Sequence, residues 1–462
     1  MKNVAKLIEY LMYVFIFLLP WQTRWIWHYG QINGDVSQYL VFSLYGSELL
    51  LFFIFVIAFY YIQKCKDDEI RVLNWKNLDF YILITAMFLV ILFNLLFAID
   101  KMVVFYYFIK FFQGFALLIL IINFRFDLRK ISLAFVFSGL VQAVLAIYQF
   151  ITQTVWGNKW LGMATQLSFT GGASVVESET LRWLRAYGSF QHPNVLAGFL
   201  IVCIIFLLIL LFLSESEREI LFLWLSLPII LTGLFFTFSR NAYLALAIGL
   251  LFIVIFVYTS HDKQSKIVLT NFLIILVIFM GILTVIYQDP LSSRLESQTR
   301  LEVKSNYERI VYFTQAKQLV EQNWYKGVGL GNYTLALYDH LPEKREAWFY
   351  QPVHNVYFLI CVELGLGGFI IFILLFIEIF KKIYYFNFPE YSGLLSVFDL
   401  FQHKTVFKFY KERIYWFLCF AAIFIMLLVI MVFDHYLWTM YFGIMLFWLC
   451  LGLLLKQISL IK

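Results

Sequence analysis

Apolar residues along this chain come in long continuous runs, not in alternation. Each run is about 17 to 25 residues, the length that crosses a bilayer as α-helix. They fall at 5–20, 39–62, 78–98, 103–123, 131–152, 193–213, 219–237, 241–258, 267–287, 354–380, 414–433 and 435–455. About twelve spans are therefore predicted, and the last two part only at Asp434-His435. Continuous runs exclude a membrane β-barrel, whose strands alternate. Helix remains, because backbone polar groups cannot go unpaired in lipid. The fold class expected is an all-α polytopic membrane protein, with residues 1–462 as a single integral membrane domain.

Composition agrees with the pattern. Hydrophobic residues make up 62% and charged residues 14%, against roughly half and a quarter in a soluble domain. The net charge of +6 marks orientation and not nucleic acid. Lys64, Lys66, Arg71 and Lys76, then Arg125, Arg129 and Lys130, then Arg218, Lys263 and Lys266, then Lys381 and Lys382 fall in one set of loops. Lys404, Lys408, Lys411, Arg413 and the termini join them, whereas the opposite short loops offer only Arg24, Lys101 and Arg240. By the positive-inside rule both ends are expected in the cytoplasm. The start, MKNVAKLIEYLMYVFIFLLP, has no A-x-A-like cleavage site and reads as a retained first span. Cys65, Cys203, Cys361, Cys419 and Cys450 lie in apolar runs or a Lys-rich loop, which points to no disulfide.

This orientation puts two long loops outside, 153–192 and 288–353, and a loop at 381–413 inside. In the second outer loop, Ser305-Asn306-Tyr307-Glu308 fits a capping box. Ile310, Val311, Phe313, Ala316, Leu319 and Val320 follow at helical spacing. An amphipathic helix is predicted there, capping the bundle and carrying Arg309 near its positive end. It stops near Asn323, where GVGLGNY makes a turn; without a following G-K-[ST] this is no phosphate loop.

Four polar clusters fall on the outer side. They are Arg182-x-x-Arg185 running into YGSFQHPNVLAGFL, TFSRNAYLAL around Arg240, Glu308-Arg309, and QPVHNVYFLICVELGLGG with His354, Asn355 and Glu363. An arginine at a helix end is commonly there to snorkel. Arg240, however, stands in a tight outer turn against the charge rule, beside Thr237, Ser239 and helix N-terminal amides, a setting suited to phosphate oxygens. Arg185 and Arg309 alone are solvated residues or headgroup contacts; together with Arg240 they could hold a diphosphate, the forked guanidinium binding two oxygens at once. His354 is the best candidate base, although a capping histidine has the same look. Asn355 fits an N-cap. Glu363, nine residues on, should lie about 13 Å deeper and needs a partner in lipid. Lys110, Glu48, Asp434 and His435 are weaker suspects. His192, His354 and His435 match no metal motif.

In this order, RAYGSFQHPNVLAGFL, TFSRNAYLAL, ERIVYFTQAKQLVEQNWYKGVGLGNY and PVHNVYFLICVELGLGG resemble the O-antigen ligase and polymerase family of bacterial membrane glycosyltransferases. The likeness covers roughly 185 to 370; Trp324 stands where the family often has Pro. It implies an enzyme at the outer face of the bacterial cytoplasmic (inner) membrane, in lipopolysaccharide or other polysaccharide biosynthesis. The glycan donor would be linked to undecaprenyl diphosphate and the acceptor hydroxyl would belong to a lipid- or glycan-linked sugar. A ligase uses a lipid A-core sugar; a polymerase uses another carrier-linked repeat. The resemblance implies no cofactor, no metal, no nucleic acid and no nucleotide sugar. It makes His354 the base or acceptor-orienting group and Arg240 and Arg309 the partners of the departing diphosphate, with Arg185, Asn194, Ser239 and Asn355 around the substrate.

Catalysis of that kind needs mainly charge stabilisation and positioning. No paired carboxylates suggest glycoside hydrolysis. A flippase of lipid-linked sugars is the competing class. It calls for midplane charges and repeat-related broken helices, whereas here the ionisable clusters gather at one face.

Overall fold

The structure is a computed structural model that describes residues 1–64, 78–177, 181–296, 299–384 and 404–459. The readings placed on Cys65, Lys66, Arg71 and Lys76, and on most of 381–413, lie outside the described residues. The chain is an all-α polytopic membrane protein, and each predicted span appears as a helix. In order these are α1 (Lys2–Leu18), α2 (Gly46–Lys64), α3 (Leu78–Asn94), α4 (Lys101–Asn123), α5 (Leu128–Thr152), α6 (Pro193–Leu213), α7 (Glu217–Phe235), α8 (Arg240–Thr259) and α9 (Lys263–Ile286). Then come α10 (Gln288–Glu296), α11 (Arg300–Asn323), α12 (Tyr333–His340), α13 (Val356–Tyr384), α14 (Lys404–Phe433), the single turn α15 (Tyr436–Thr439) and α16 (Tyr441–Ser459). Among the described residues, ten helices are long and apolar enough to cross a membrane; α1 and α3, at 17 residues each, are shorter.

The packing follows from the sequence. α6 is apolar on every side and buried over all but its ends, as a helix at the centre of a bundle must be. It is surrounded by α5, α7, α8 and α14. α9 is mostly exposed, as a lipid-facing helix is. Close approach uses small residues: a Cβ on Gly233 of α7 would sit 2.7 Å from Ala143 of α5, the means by which membrane helices pack without a hydrophobic driving force.

Two expectations need correcting. Residues 39–45, placed in the second span, are strand. Arg24–Ile32 (β1) and Asp35–Tyr45 (β2) pair as an antiparallel hairpin. Asn33 and Gly34 reverse the chain at φ of 54° and 88°, the mirror-image turn that an Asn-Gly pair favours. The segment YLVFSLY is apolar enough to resemble a span, but its β-branched and aromatic side chains suit a pleat and it follows that turn directly. The capping box at Ser305 is the second correction. α11 begins at Arg300 after Thr299, because Arg300–Lys304 are mostly good helix formers. Ser305 is therefore interior, Glu308 pairs with Lys304 at 3.7 Å, and Arg309 stands mid-helix.

α13 is broken at Gly365, which has φ of 69°. Only glycine takes this conformation cheaply, and the break frees backbone groups at membrane depth that must be satisfied. The turn after α11 supplies them: the amides of Val328 and Gly329 donate to the carbonyls of Val362 and Glu363 at 2.9 Å, and Leu366 donates to Trp324 O at 2.7 Å. A Cβ on Gly327 would lie 2.3 Å from Glu363 O, which is why the turn is glycine-rich. The Glu363 carboxylate has the partner it needed, accepting from Trp438 Nε1 at 2.8 Å. Thus α11 is latched onto α13, the helix that His354 and Asn355 precede.

Candidate functional site

The polar clusters meet at one end of the bundle. His192 caps α6, its Nδ1 accepting from the Asn194 amide at 3.1 Å. That bond fixes Nδ1 as unprotonated, and burial lowers the ring pKa to about 3. Asn194, one residue into α6, uses its whole amide: Oδ1 accepts from Arg185 NH2 at 2.7 Å and Nδ2 donates to Asp434 Oδ2 at 3.0 Å. Arg185 Nε donates to Thr237 O at 2.6 Å. Burial, then the nearby Arg294, lower the Arg185 pKa to about 9, so it stays cationic at neutral pH.

The Thr237-Phe238-Ser239 turn aims these carbonyls. Phe238 has φ of 47°, an uncommon conformation for a bulky side chain, held by rings of Phe150 and Phe235 against its own. Phe238 O faces Arg294 Nε at 3.4 Å. Ser239 starts α8 without a side-chain cap bond. Arg240 then donates to Arg294 O at 3.0 Å and pairs with Glu302 at 3.2 Å. Buried Glu302 is also bonded to Arg294. Half-buried Arg309 has no hydrogen bond or ion pair among the described residues, yet its charge is felt at Arg240. Among the described residues, Arg185, Arg240, Arg294 and Arg309 have one carboxylate, Glu302, within ion-pair reach. The surplus positive charge, partly screened from water, suits an anion with several oxygens.

His354 lies on the other side of Asn194. Its Nδ1 is 3.8 Å from Asp434 Oδ1 and makes no hydrogen bond, while the side chain is 32% exposed. Asp434 is buried, a state that by itself raises a carboxyl pKa; the facing His354, then His435 and His192, bring it below the usual range. The His435 amide donates to Asp434 Oδ1 at 2.8 Å, and burial lowers its ring pKa to about 3. Rings surround His354, with His435 at 5.0 Å and Tyr312 of α11 at 6.1 Å. Asn355 behaves as the expected N-cap, accepting from the Phe358 amide and donating to Val432 O, both at 3.0 Å. Beyond Tyr312 opens a cavity of about 600 Å³ lined by Lys304, Tyr307, Tyr312, Arg345, Trp348 and Phe349 among others.

The structure therefore brings His354, Arg240, Arg309, Arg185 and Asn194 into one region. It ties Asn194 and Asn355 to protein partners and leaves His354 and Arg309 with spare capacity. Ligand atoms of His354, Asp434 and His435 lie within 4.8 Å of one another, a group that could hold a metal ion, whereas His192 is not part of it. Sequence reasoning missed Arg294, Glu302 and Tyr312. The first two were ordinary charges in a polar loop, and only their burial sets them apart. Asp434 was visible as a carboxylate in the break between the last two spans.

Residues 221–373 match the family model described as O-antigen ligase. The matched stretch holds Arg240, Arg294, Glu302, Arg309 and His354, and the structure adds Arg185, Asn194 and Asp434 to it from outside. No curated protein matches the chain. The chain is thus a multi-span membrane protein whose residues 221–373 are similar to the O-antigen ligase family.

Proposed function

We propose that this protein moves a glycan from an undecaprenyl-diphosphate carrier to a hydroxyl of a lipid- or glycan-linked acceptor sugar. The work is done on the outer face of the bacterial inner membrane, with both termini in the cytoplasm. The carrying observation is the pairing of an arginine cluster, with one carboxylate among the described residues, with a partly exposed histidine backed by buried Asp434. Asp434 faces Nδ1–H of His354 across 3.8 Å, which orients the ring and leaves Nε2 to take the acceptor's proton. Catalytic contacts of this kind often tighten into hydrogen bonds only when substrate arrives. The acceptor oxygen bonds to the anomeric carbon while the bond from that carbon to the diphosphate oxygen breaks. The electron pair leaves with the diphosphate, and Arg240 and Arg309 stabilise it. Arg185, Asn194 and Ser239 hold the turn and the helix start that set this geometry. Charge stabilisation comes from arginine, so the reaction needs no metal.

Purified protein in liposomes, given a lipid-linked oligosaccharide and candidate acceptors, is expected to form a glycan product and free undecaprenyl diphosphate, undiminished in EDTA. His354→Ala should lower the rate by about 10²- to 10⁴-fold, the usual share of a general base, with the melting temperature unchanged. Wild-type transfer by folded His354→Ala would overturn the assignment. A product on a core lipid separates the ligase reading from the polymerase one, whose product is a lengthened carrier-linked chain.

A further inference from the structure

A second pocket lies close to His435. Tyr39 and Thr439 separate it from the candidate site: the Tyr39 ring is 5.7 Å from the His435 ring, and Thr439 Oγ1 is 2.8 Å from His435 Nδ1. Exposed Arg24, Gln38 and Gln191 and buried Lys110 line it. Lys110 and Glu48, suspects from the sequence with no place in the chemistry above, belong to this pocket's construction.

The charges here are unequal. Lys110 Nζ reaches both Glu48 oxygens at 2.5 Å and Ser43 O at 3.2 Å. Glu48 also accepts from Gln113 at 2.8 Å and the Tyr45 amide at 3.2 Å. Its charge is covered, as a buried carboxylate requires, and no carboxylate lines the pocket. Arg24 donates only to Tyr45 OH, at 3.3 Å, and has no acidic partner among the described residues. The enclosed volume is about 40 Å³. One water needs roughly 10–15 Å³ on this measure, so the slot takes one functional group and not a whole sugar ring. The ring would stay at the mouth, among amides and tyrosine faces that supply hydrogen bonds and apolar contact.

We propose that this slot receives the carboxylate of an acidic sugar, paired with Arg24, so that the pocket selects a uronic-type unit of a glycan substrate next to His354. This rests on the transferase reading and names a substrate class for it. The test is maleimide labelling of Gln38→Cys, above the background of the parent chain, in the full-length protein in nanodiscs. Saturating D-glucuronate is expected to slow labelling roughly threefold or more. D-glucose and undecaprenyl diphosphate should leave the rate unchanged, and Arg24→Gln should abolish protection. No protection by glucuronate, equal protection by glucose, or protection by undecaprenyl diphosphate alone would each overturn the proposal; the last would assign the slot to a phosphate. The assay reads occupancy and not transfer. A protein that binds glucuronate but transfers nothing sinks the transferase reading alone, and one that transfers without protection sinks only the slot.

Discussion

Arg185 and Arg309 belong to one positive cluster, but they hold their charges differently. Arg185 is buried, and its Nε and NH2 bonds go to Thr237 O and Asn194. Arg309 is half-buried on α11, with no bonded partner among the described residues. The first belongs to a rack that joins α6, the turn before α8 and, through Asn194, Asp434. The second stands on α11 within electrostatic reach of Arg240. A buried guanidinium that holds two neighbouring oxygens sets positions; a partly exposed one with no bonded partner among the described residues can meet a substrate.

The comparison breaks most sharply when both arginines are truncated. Arg309→Ala is expected to lower transfer by about 10²-fold, the typical loss for one charge-stabilising donor, with melting unchanged. Arg185→Ala leaves Asn194 Oδ1 and Thr237 O without their donor in a buried setting, at about 1–3 kcal/mol each, and should lower the melting temperature clearly. Transfer assays and thermal melts on both variants decide it. A reversed outcome, with Arg309→Ala unstable and Arg185→Ala merely slow, would exchange their roles.

Acid should loosen the rack around Asp434. His435 is buried with its pKa depressed to about 3, so the fold favours its neutral form. Its contribution to stability is complete above the unfolded value near 6.5 and is lost as pH falls toward 3. Each pH unit in that window costs up to about 1.4 kcal/mol. Asp434, held below the usual carboxylate range, acts in the same direction at still lower pH. Melts at pH 7.5, 6.0 and 4.5 should show a steady decline, less steep in His435→Gln. An equal slope in that variant would mean other groups carry the acid sensitivity.

Bilayer length made the helices legible, because a span writes its hydrophobic run directly into the sequence. The same rule hid the hairpin: YLVFSLY satisfies hydropathy, and only Asn33-Gly34, an available but unused signal, points to β1 and β2. Within the site, Arg240, Arg309 and His354 were visible because a charge in a greasy chain stands out. Arg294 and Glu302 were not, since they sit among many charges and matter only through burial that no local pattern encodes. The Gly365 break was hidden as well, because its compensating amides come from residues 328 and 329, far along the chain.

The smallest expected effect tests where α11 begins. Were Ser305 an N-cap, its replacement by alanine would cost about 1 kcal/mol. The structure instead starts the helix at Arg300 and leaves Ser305 inside it, where alanine is the better helix former by a few tenths of a kcal/mol. Ser305→Ala should therefore leave melting unchanged or slightly raised, and amide exchange at 303–307, where the amides bond within the helix if it starts at Arg300, should remain slow. Faster exchange there, with a lower melt, would return the helix start to Ser305. Arg309 would then stand in the first turn of a shorter helix, where the amide ends add to its positive field, and α11 would gain a second means of holding a diphosphate.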